Sequence, residues 1–227
     1  LTSFSEDSAI GTIIATSSAT DPESNTITYS LSGTGSEYFN VDENGNVSLK
    51  DTLDFETYTN YEITLVASDG ELTSSSVIAF DISDVDEAPS LSSTLKSESF
   101  EESIAVGTAL ATISSVDPES QTITYSLSGT GSENFEIDSE GNITSKVTFD
   151  YETATSYTFN VTASDGTNST TSPLTITLSD VNESPDVTIS LQGSEFAENI
   201  ATGTTIATVA YTDPESDTLS YTLSGTG

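Results

Sequence analysis

The sequence lacks cysteine, histidine, tryptophan and methionine altogether in its 227 residues. Without cysteine there are no disulfides, which alone would favour a reducing compartment, although surface proteins cross-linked by metal ions also do without them. Without histidine, Ser-His-Asp and Cys-His catalysis and the usual zinc and copper ligands are excluded. Metal binding by this chain therefore depends on oxygen ligands.

Basic residues are almost as scarce, with three against 37 acidic residues and a formal net charge of −34. Contacts with phosphate groups need Lys and Arg, so nucleic acid and anionic membranes are poor partners, and we expect no nucleic acid to bind. A disordered acidic tail is disfavoured, because 9 Tyr, 9 Phe and many β-branched residues occur in ordered patterns. A solvated surface adapted to high salt stays open and is compatible with metal sites.

Long apolar runs are absent as well. No segment approaches the length of a membrane span, so we expect no direct insertion into a membrane. No signal peptide precedes Leu1, and the sequence does not begin with Met. We therefore expect it to be a piece of a longer polypeptide.

Internal repetition is the main positive feature of the sequence. Leu-Ser-Gly-Thr-Gly stands at 31–35, 127–131 and 223–227, and Asp-Pro-Glu-Ser begins at 21, 117 and 213, so both motifs recur every 96 residues. With boundaries at the prolines that end each period, the sequence predicts domains 1–89, 90–185 and an incomplete 186–227.

Short alternating runs of apolar residues predict the strands within each repeat. In the first repeat we expect strands A to G at Phe4–Glu6, Thr12–Ser18, Thr26–Leu31, Phe39–Val41, Asn46–Leu49, Tyr61–Ala67 and Ser76–Ile82. Seven short strands at such spacing predict an all-β chain of tandem immunoglobulin-like β-sandwich domains joined end to end. The tail, 186–227, should contain strands A and B and most of C, with the recurring Tyr29, Tyr125 and Tyr221 in the cores.

Acidic residues crowd the junctions between repeats, at Asp84-Val85-Asp86-Glu87-Ala88-Pro89 and Asp180-Val181-Asn182-Glu183-Ser184-Pro185. So many carboxylates at the end of a strand repel one another unless a hard cation lies among them. Calcium accepts 6–8 oxygen ligands in flexible geometry, whereas magnesium demands a near-ideal octahedron and retains its waters. The sequence therefore predicts calcium at these junctions.

Several carboxylate pairs share a spacing of two residues: Asp54/Glu56, Asp84/Asp86 and Asp117/Glu119. In an extended backbone both members point to the same side, so each pair could present two ligands to one ion. Alternating strand directions bring the A–B and E–F loops and the end of strand G to the lower pole of the first repeat. The B–C and F–G loops of the second repeat supply Asp117, Glu119 and Asp165 from the other side of the junction.

The same reasoning predicts two further groups of metal ligands, one at the second junction and one at the upper pole of the first repeat. The candidate ligands at the second junction are Glu102, Asp150, Glu152, Asp180, Asn182, Glu183, Asp213 and Glu215, and those at the upper pole of the first repeat are Asp21, Glu23 and Asp69. The tail has no counterpart of Asp69 or Asp165, so we expect its upper ion to be weak or missing unless a neighbour supplies an acid. We also expect residues outside the chain to complete the tail.

Together these motifs resemble the cadherin repeat. The resemblance rests on Ala19-Thr20-Asp21-Pro22-Glu23, Leu53-Asp54-Phe55-Glu56, Ala67-Ser68-Asp69 and Asp84 to Pro89, and it extends in order over the whole chain. It implies a stack of sandwiches with about three calcium ions at each junction. By motif position, two ions would be held by Glu6, Asp54, Glu56, Asp84 and Glu87, and the third by Asp86, Asp117, Glu119 and Asp165 with the carbonyls of Ala88 and Gln121.

The sequence departs from that pattern at several positions. The linker is one residue shorter than usual, Glu87 replaces an Asp, and Asp86 stands where Asn182 keeps the family residue. The absence of Trp excludes the tryptophan strand exchange of vertebrate classical cadherins. The near-identical repeats, rich in Ser and Thr, look more like those of bacterial surface adhesins.

We therefore expect a non-catalytic module at the cell surface, a calcium-stiffened extender within a large adhesin. Its partners would be calcium ions, neighbouring repeats or other copies of the chain. Two alternatives stay open: a repeat that itself binds surface glycans or proteins, and the repeating subunit of a surface filament. A glycosidase would need a proton-donating acid in a cleft, and carboxylates crowded at a junction suit a metal ion better.

Overall fold

The computed structural model describes residues 2–225. The chain divides into two compact units, the first formed by Leu1–Ala88 with Asp117–Thr122 and the second by Pro89–Val116 with Ile123–Gly227. Both are built from strands, which confirms the predicted all-β class. Within residues 2–225, no helix is both long and apolar enough to cross a membrane.

The first unit is a two-sheet sandwich. Its strands are β1 Thr2–Ser5, β2 Ile13–Thr16, β3 Thr28–Ser32, β4 Phe39–Val41, β5 Asn46–Leu49, β6 Asn60–Ser68 and β7 Thr73–Ser83. One sheet has the order β1-β7-β6-β3 and the other β2-β5-β4. Strand β1 runs parallel to β7, whereas the other pairs are antiparallel. Alternate residues of both sheets, including Val47, Ile63 and Phe80, form the core between them.

The second unit repeats this sandwich and adds a hairpin. Its strands are β8 Ser92–Leu95, β9 Phe100–Glu101, β10 Ala109–Ser114, β11 Thr124–Ser128, β12 Phe135–Ile137, β13 Asn142–Ser145, β14 Ser156–Ser164, β15 Ser169–Ser179, β16 Asp186–Leu191 and β17 Ala207–Thr212. The sheets have the orders β11-β14-β15-β9 and β12-β13-β10-β8. Leu110, Ile143 and Ile176 are each fully buried between them.

The structure corrects the prediction of a single strand A. In the second unit this strand is split, because β8 pairs antiparallel with β10 in one sheet and β9 pairs parallel with β15 in the other. Each half is only two to four residues long, which is too short to show an alternating pattern. Strands F and G are longer than predicted, since their polar ends continue the ladder beyond the apolar residues.

The tail forms an antiparallel hairpin of β16 and β17, with Asp186 opposite Thr212. Strand C was also predicted there, but residues 213–225 contain no strand in the described part of the chain. Its counterparts β3 and β11 each lie at a sheet edge and pair only with strand F, and the sequence has no third strand F. Tyr221 is therefore 55% exposed rather than in a core and packs on Tyr211. Completion of the tail by residues outside the chain stays a prediction.

Two variants in strand β15 test the assignment of the core. Ile176 is fully buried, and its neighbour Thr177 is exposed on the opposite face. Ile176→Ala should reduce the free energy of unfolding by about 2–5 kcal/mol, because it removes buried methyl groups and leaves a cavity. The control Thr177→Ala should change it by less than about 0.5 kcal/mol. Calorimetric melting measures both, and equal effects would contradict the assigned faces.

Candidate metal centres

A buried glutamate organises one end of the first sandwich. Glu6 follows β1, is only 7% exposed, and its two carboxylate oxygens accept the backbone N–H groups of Phe55, at 2.7 Å, and Val85, at 2.6 Å. One side chain thus fixes the β5–β6 loop and the segment after β7. The second unit repeats both bonds at Glu102, which is 4% exposed and accepts N–H groups from Tyr151 and Val181.

Four further carboxylates gather around Glu6. Oxygens of Glu6, Glu56 and Glu87 lie within 4.8 Å of one another, and so do oxygens of Glu56, Asp84 and Glu119. Glu56 belongs to both triads, so we refer to these five residues together as the first cluster. All five belong to the first unit, because that unit includes Asp117–Thr122. The first cluster opens into a cleft of about 480 Å³.

The second unit contains a matching arrangement, which we call the second cluster. Oxygens of Glu102, Glu152 and Asp180 lie within 4.8 Å of one another, as do those of Glu152, Glu183 and Glu215. Glu152 has the bridging position that Glu56 has in the first cluster. The same five positions therefore cluster in both units. The triads differ in one respect, because the buried glutamate is grouped with Glu87 in the first unit and with Asp180, the counterpart of Asp84, in the second.

The crowding raises the pKa of individual carboxyls. Burial raises the pKa of Glu87 to about 7, aided by the facing carboxyl of Glu119 and the charge of Glu6. The hydrogen bond that Glu183 shares with Glu215, together with burial, raises the pKa of Glu183 to about 7. The pKa of Glu215 is lowered instead, first because it accepts the backbone N–H of Glu183. Without a cation, each cluster therefore resists full ionisation at neutral pH.

The bridging glutamates follow the same trend. Desolvation is the main cause that raises the pKa of Glu56 and of Glu152, and the neighbouring carboxylates add to it. The chain carries only three basic residues, so it has few cations of its own to offset these charges.

Several carboxylate oxygens of the candidate ligands are buried without a hydrogen-bond donor. Within residues 2–225 these are Asp117 Oδ2, both oxygens of Glu119, Asp165 Oδ2, Glu183 Oε2 and Glu215 Oε2. A buried charged oxygen with no partner is costly. A hard cation that takes carboxylate oxygens satisfies it, so the donor set of both clusters fits calcium.

Two of the predicted pairs do not have the extended backbone on which their prediction rested. Residues 55–57 form a turn, and Asp54 caps it by accepting the N–H of Thr57 at 2.9 Å, whereas Glu56 enters the first cluster. Asp150 caps the equivalent turn through Thr153. Asp117 begins a second turn and Glu119 lies within it, and this turn ends at Ser120 with a φ of 61°. Turns rather than extended segments therefore present these acids.

Asp86 and Asp117 lie outside both triads and are joined by Gln121. Asp117 is 5% exposed and its Oδ1 accepts the backbone N–H of Gln121 at 2.7 Å, while the side-chain Nε2 of Gln121 donates to Asp86 Oδ1. Sequence reasoning considered only the carbonyl of Gln121. The signal that could have revealed its side chain is the change of residue type at this position between repeats.

The remaining candidates take part in local turns. Asp69 Oδ1 accepts the N–H groups of Leu72 and Glu71, which lower its pKa, and Asp165 Oδ1 accepts those of Thr167 and Asn168. Asp21 and Asp213 each accept the backbone N–H of the residue four positions further on. The side-chain amide of Asn182 donates to the carbonyl of Glu183. Glu23 is exposed. None of these residues joins a triad within residues 2–225. Their role as ligands stays a prediction.

Glu6→Ala tests whether the buried glutamate is structural as well as a candidate ligand. It leaves the N–H groups of Phe55 and Val85 without their acceptor. We expect a loss of about 1–3 kcal/mol in the free energy of unfolding even in chelator. Asp7→Ala, at the exposed neighbour, is the matched control and should change it little. Chemical denaturation in chelator measures both, and a wild-type stability for Glu6→Ala would contradict this role.

The raised pKa values predict an unusual dependence of stability on pH. Glu87 and Glu183 have a pKa of about 7 in the folded chain against an ordinary 4.5. Their contribution is therefore fully present below pH 4.5 and is lost as the pH rises through 7. In chelator the melting temperature should fall between pH 5 and about pH 8.

Glu87→Gln combined with Glu183→Gln removes both titrating groups and should flatten this dependence. Saturating calcium should reverse it, because the ion requires the deprotonated carboxylates. A chelated wild-type protein that becomes more stable from pH 5 to about pH 8 would contradict the assigned electrostatics.

Comparison with known proteins identifies similar chains. The family model described as Cadherin domain matches residues 1–88 and 96–179. Cadherin-related family member 1 of Gallus gallus is 33% identical over 208 residues, which is 83% of this chain and 24% of that protein. The chain thus spans about a quarter of the length of this relative.

Solved structures show the same similarity. The extracellular cadherin domains 1–5 of Protocadherin Gamma B2 superpose with a TM-score of 0.55 at 28% identity, covering 94% of this chain and 45% of that one. The cis-dimer structure of Protocadherin gammaB7 EC3–6 gives a TM-score of 0.52 at 27% identity, covering 93% and 53%.

Proposed function

Because the chain belongs to the cadherin domain family, we propose that it is a calcium-rigidified extender module of a large cell-surface adhesion protein. Cadherin domains are adhesion modules and not enzymes, and the similar proteins are cadherin-type adhesion proteins. We propose an extracellular location as well, and the extracellular domains of the matching Protocadherin Gamma B2 support it.

The observation that carries the calcium proposal is the recurrence of one carboxylate constellation in two units. Each has a buried glutamate, a bridging glutamate and partners from other loops, and the donor oxygens of each triad lie within 4.8 Å of one another. In each cluster at least one buried carboxylate oxygen finds no protein donor within residues 2–225. Such a set of oxygens is the coordination that calcium prefers.

We place the repeats at 1–89, 90–185 and 186–227, with calcium at the two junctions. Without the metal, the carboxylates at a junction repel one another, and with it, loops of successive repeats bind the same ions. Calcium at ten to a hundred times the dissociation constant would stabilise each site by about 1.4 to 2.7 kcal/mol. Motion between repeats would be restricted accordingly.

The setting we propose is a bacterial-type adhesin in which such repeats are extenders. The near identity of the repeats and their high content of Ser and Thr support this. Candidate partners are neighbouring repeats and further copies of the chain, and the gammaB7 relative forms a cis-dimer.

Scattering and calorimetry on the same protein test the proposal. Calcium added to chelated protein should bind with measurable heat and lengthen the distance distribution to that of a stiffer particle. The matched control is Glu56→Gln with Glu152→Gln, which keeps the shape of both bridging residues but removes their charge. It should lose most of the calcium uptake and all of the change in dimension. An unchanged maximum dimension for the wild-type chain would refute the stiffening role.

A glycan array with the calcium-loaded chain separates an extender from a binding repeat. We expect no glycan to bind, because the proposed adhesive contact lies elsewhere in the parent protein. Saturable binding of a glycan class would favour the alternative that this repeat makes the contact itself.

A further inference from the structure

The two junctions differ by a reciprocal exchange of an acid and an amide. Asp86 of the first linker corresponds to Asn182 of the second, and Gln121 of the B–C loop corresponds to Asp217, both at the offset of 96 residues. The residues next to each position are the same in both repeats: Val and Glu around 86 and 182, and Ser and Thr around 121 and 217. Each junction therefore keeps one acid and one amide, but in opposite places.

In the first unit these two positions are in direct contact. The amide Nε2 of Gln121 donates to Oδ1 of Asp86, and both residues belong to the same unit. The backbone N–H of Gln121 also binds Asp117 Oδ1, so this residue connects a linker carboxylate with a B–C loop carboxylate.

The loop itself is the same in both units. Asp217 donates its backbone N–H to Asp213 Oδ1 at 2.7 Å, as Gln121 does to Asp117 at 2.7 Å. Ser120 and Ser216 both have a φ of 61° in these loops. The difference between the two units at this position is therefore in the side chain and not in the backbone.

We propose that positions 86 and 121, and likewise 182 and 217, form a matched acid–amide pair that orients the charged ligand of the upper calcium ion at each junction. The proposal rests on the calcium-binding function proposed above. Two acids at these positions would repel each other, and two amides would remove a negative charge that the cation needs. One acid with one amide avoids both effects, because the amide donates a hydrogen bond to the carboxylate.

The pair assigns a role to each member. Asp86 is the charged ligand at the first junction, and Gln121 is its positioning residue. In the structure the amide of Asn182 donates to the carbonyl of Glu183, so at the second junction the pair is inferred from the exchange of residue types. There the roles are reversed, so that Asp217 supplies the charge and Asn182 the amide. This adds Asp217 to the acids of the second junction, although it lies outside the motifs from which the other candidates were identified.

The test is a double-mutant cycle in the full chain, with Glu152→Gln in every protein to weaken the second junction. Asp86→Asn should lower the calcium affinity of the first junction about tenfold, because it leaves two amides. Gln121→Asp should lower the melting temperature in chelator, because it places two carboxylates together. The variant with both changes reproduces the second junction and should bind calcium within about twofold of its parent.

The mirror cycle uses Asn182→Asp and Asp217→Gln, with Glu56→Gln in every protein. Recovery in both double variants supports the pair, whereas double variants as weak as Asp86→Asn or Asp217→Gln alone overturn it. Melting in chelator shows that each variant is folded. If the wild-type chain takes up no calcium at all, the proposed function and the pair both fail; if it does and the exchange gives no recovery, only the pair fails.

Discussion

Repulsion among carboxylates is the constraint on which the ends of these sandwiches depend. The chain has 37 acidic and three basic residues, so few of its acids can be neutralised from within. In each unit the fold nevertheless brings five carboxylates together. Burial raises the pKa of Glu87 to about 7, and the hydrogen bond with Glu215 does the same for Glu183, with the neighbouring carboxylates adding to both shifts. A divalent cation would relieve this cost without a change of fold, and for this reason we propose calcium at the acidic ends.

The β-sandwich provides a rigid support that brings the carboxylates of each cluster together. Its hydrophobic core fixes the strands, and its loops carry the acids to one end, where a buried glutamate accepts two backbone N–H groups and ties two segments together. That glutamate both holds the loops in place and presents oxygens to the triad. Because the same bonds recur in the second unit, the arrangement is a property of the repeat and not of one junction.

The sequence predicted the sandwich well, because buried and exposed residues alternate in strands such as β6 and β14 and the motifs repeat at a fixed offset. It missed the division of strand A into β8 and β9, since strands of two to four residues show no pattern. Ten of the predicted acids gather in the two clusters, but the sequence did not indicate that turns present Glu56 and Glu119. The role of all the candidates as ligands stays a prediction. The contact of Gln121 with Asp86 depends on a long-range approach between loops, which no local pattern encodes.

A crystal structure of the chain grown with calcium, with anomalous scattering to identify the ions, tests the central claim most directly. The account predicts a calcium ion between Glu6, Glu56 and Glu87, and another between Glu102, Glu152 and Asp180, with carboxylate oxygens at about 2.3–2.6 Å. Clusters that hold only water or shared protons at saturating calcium would contradict it.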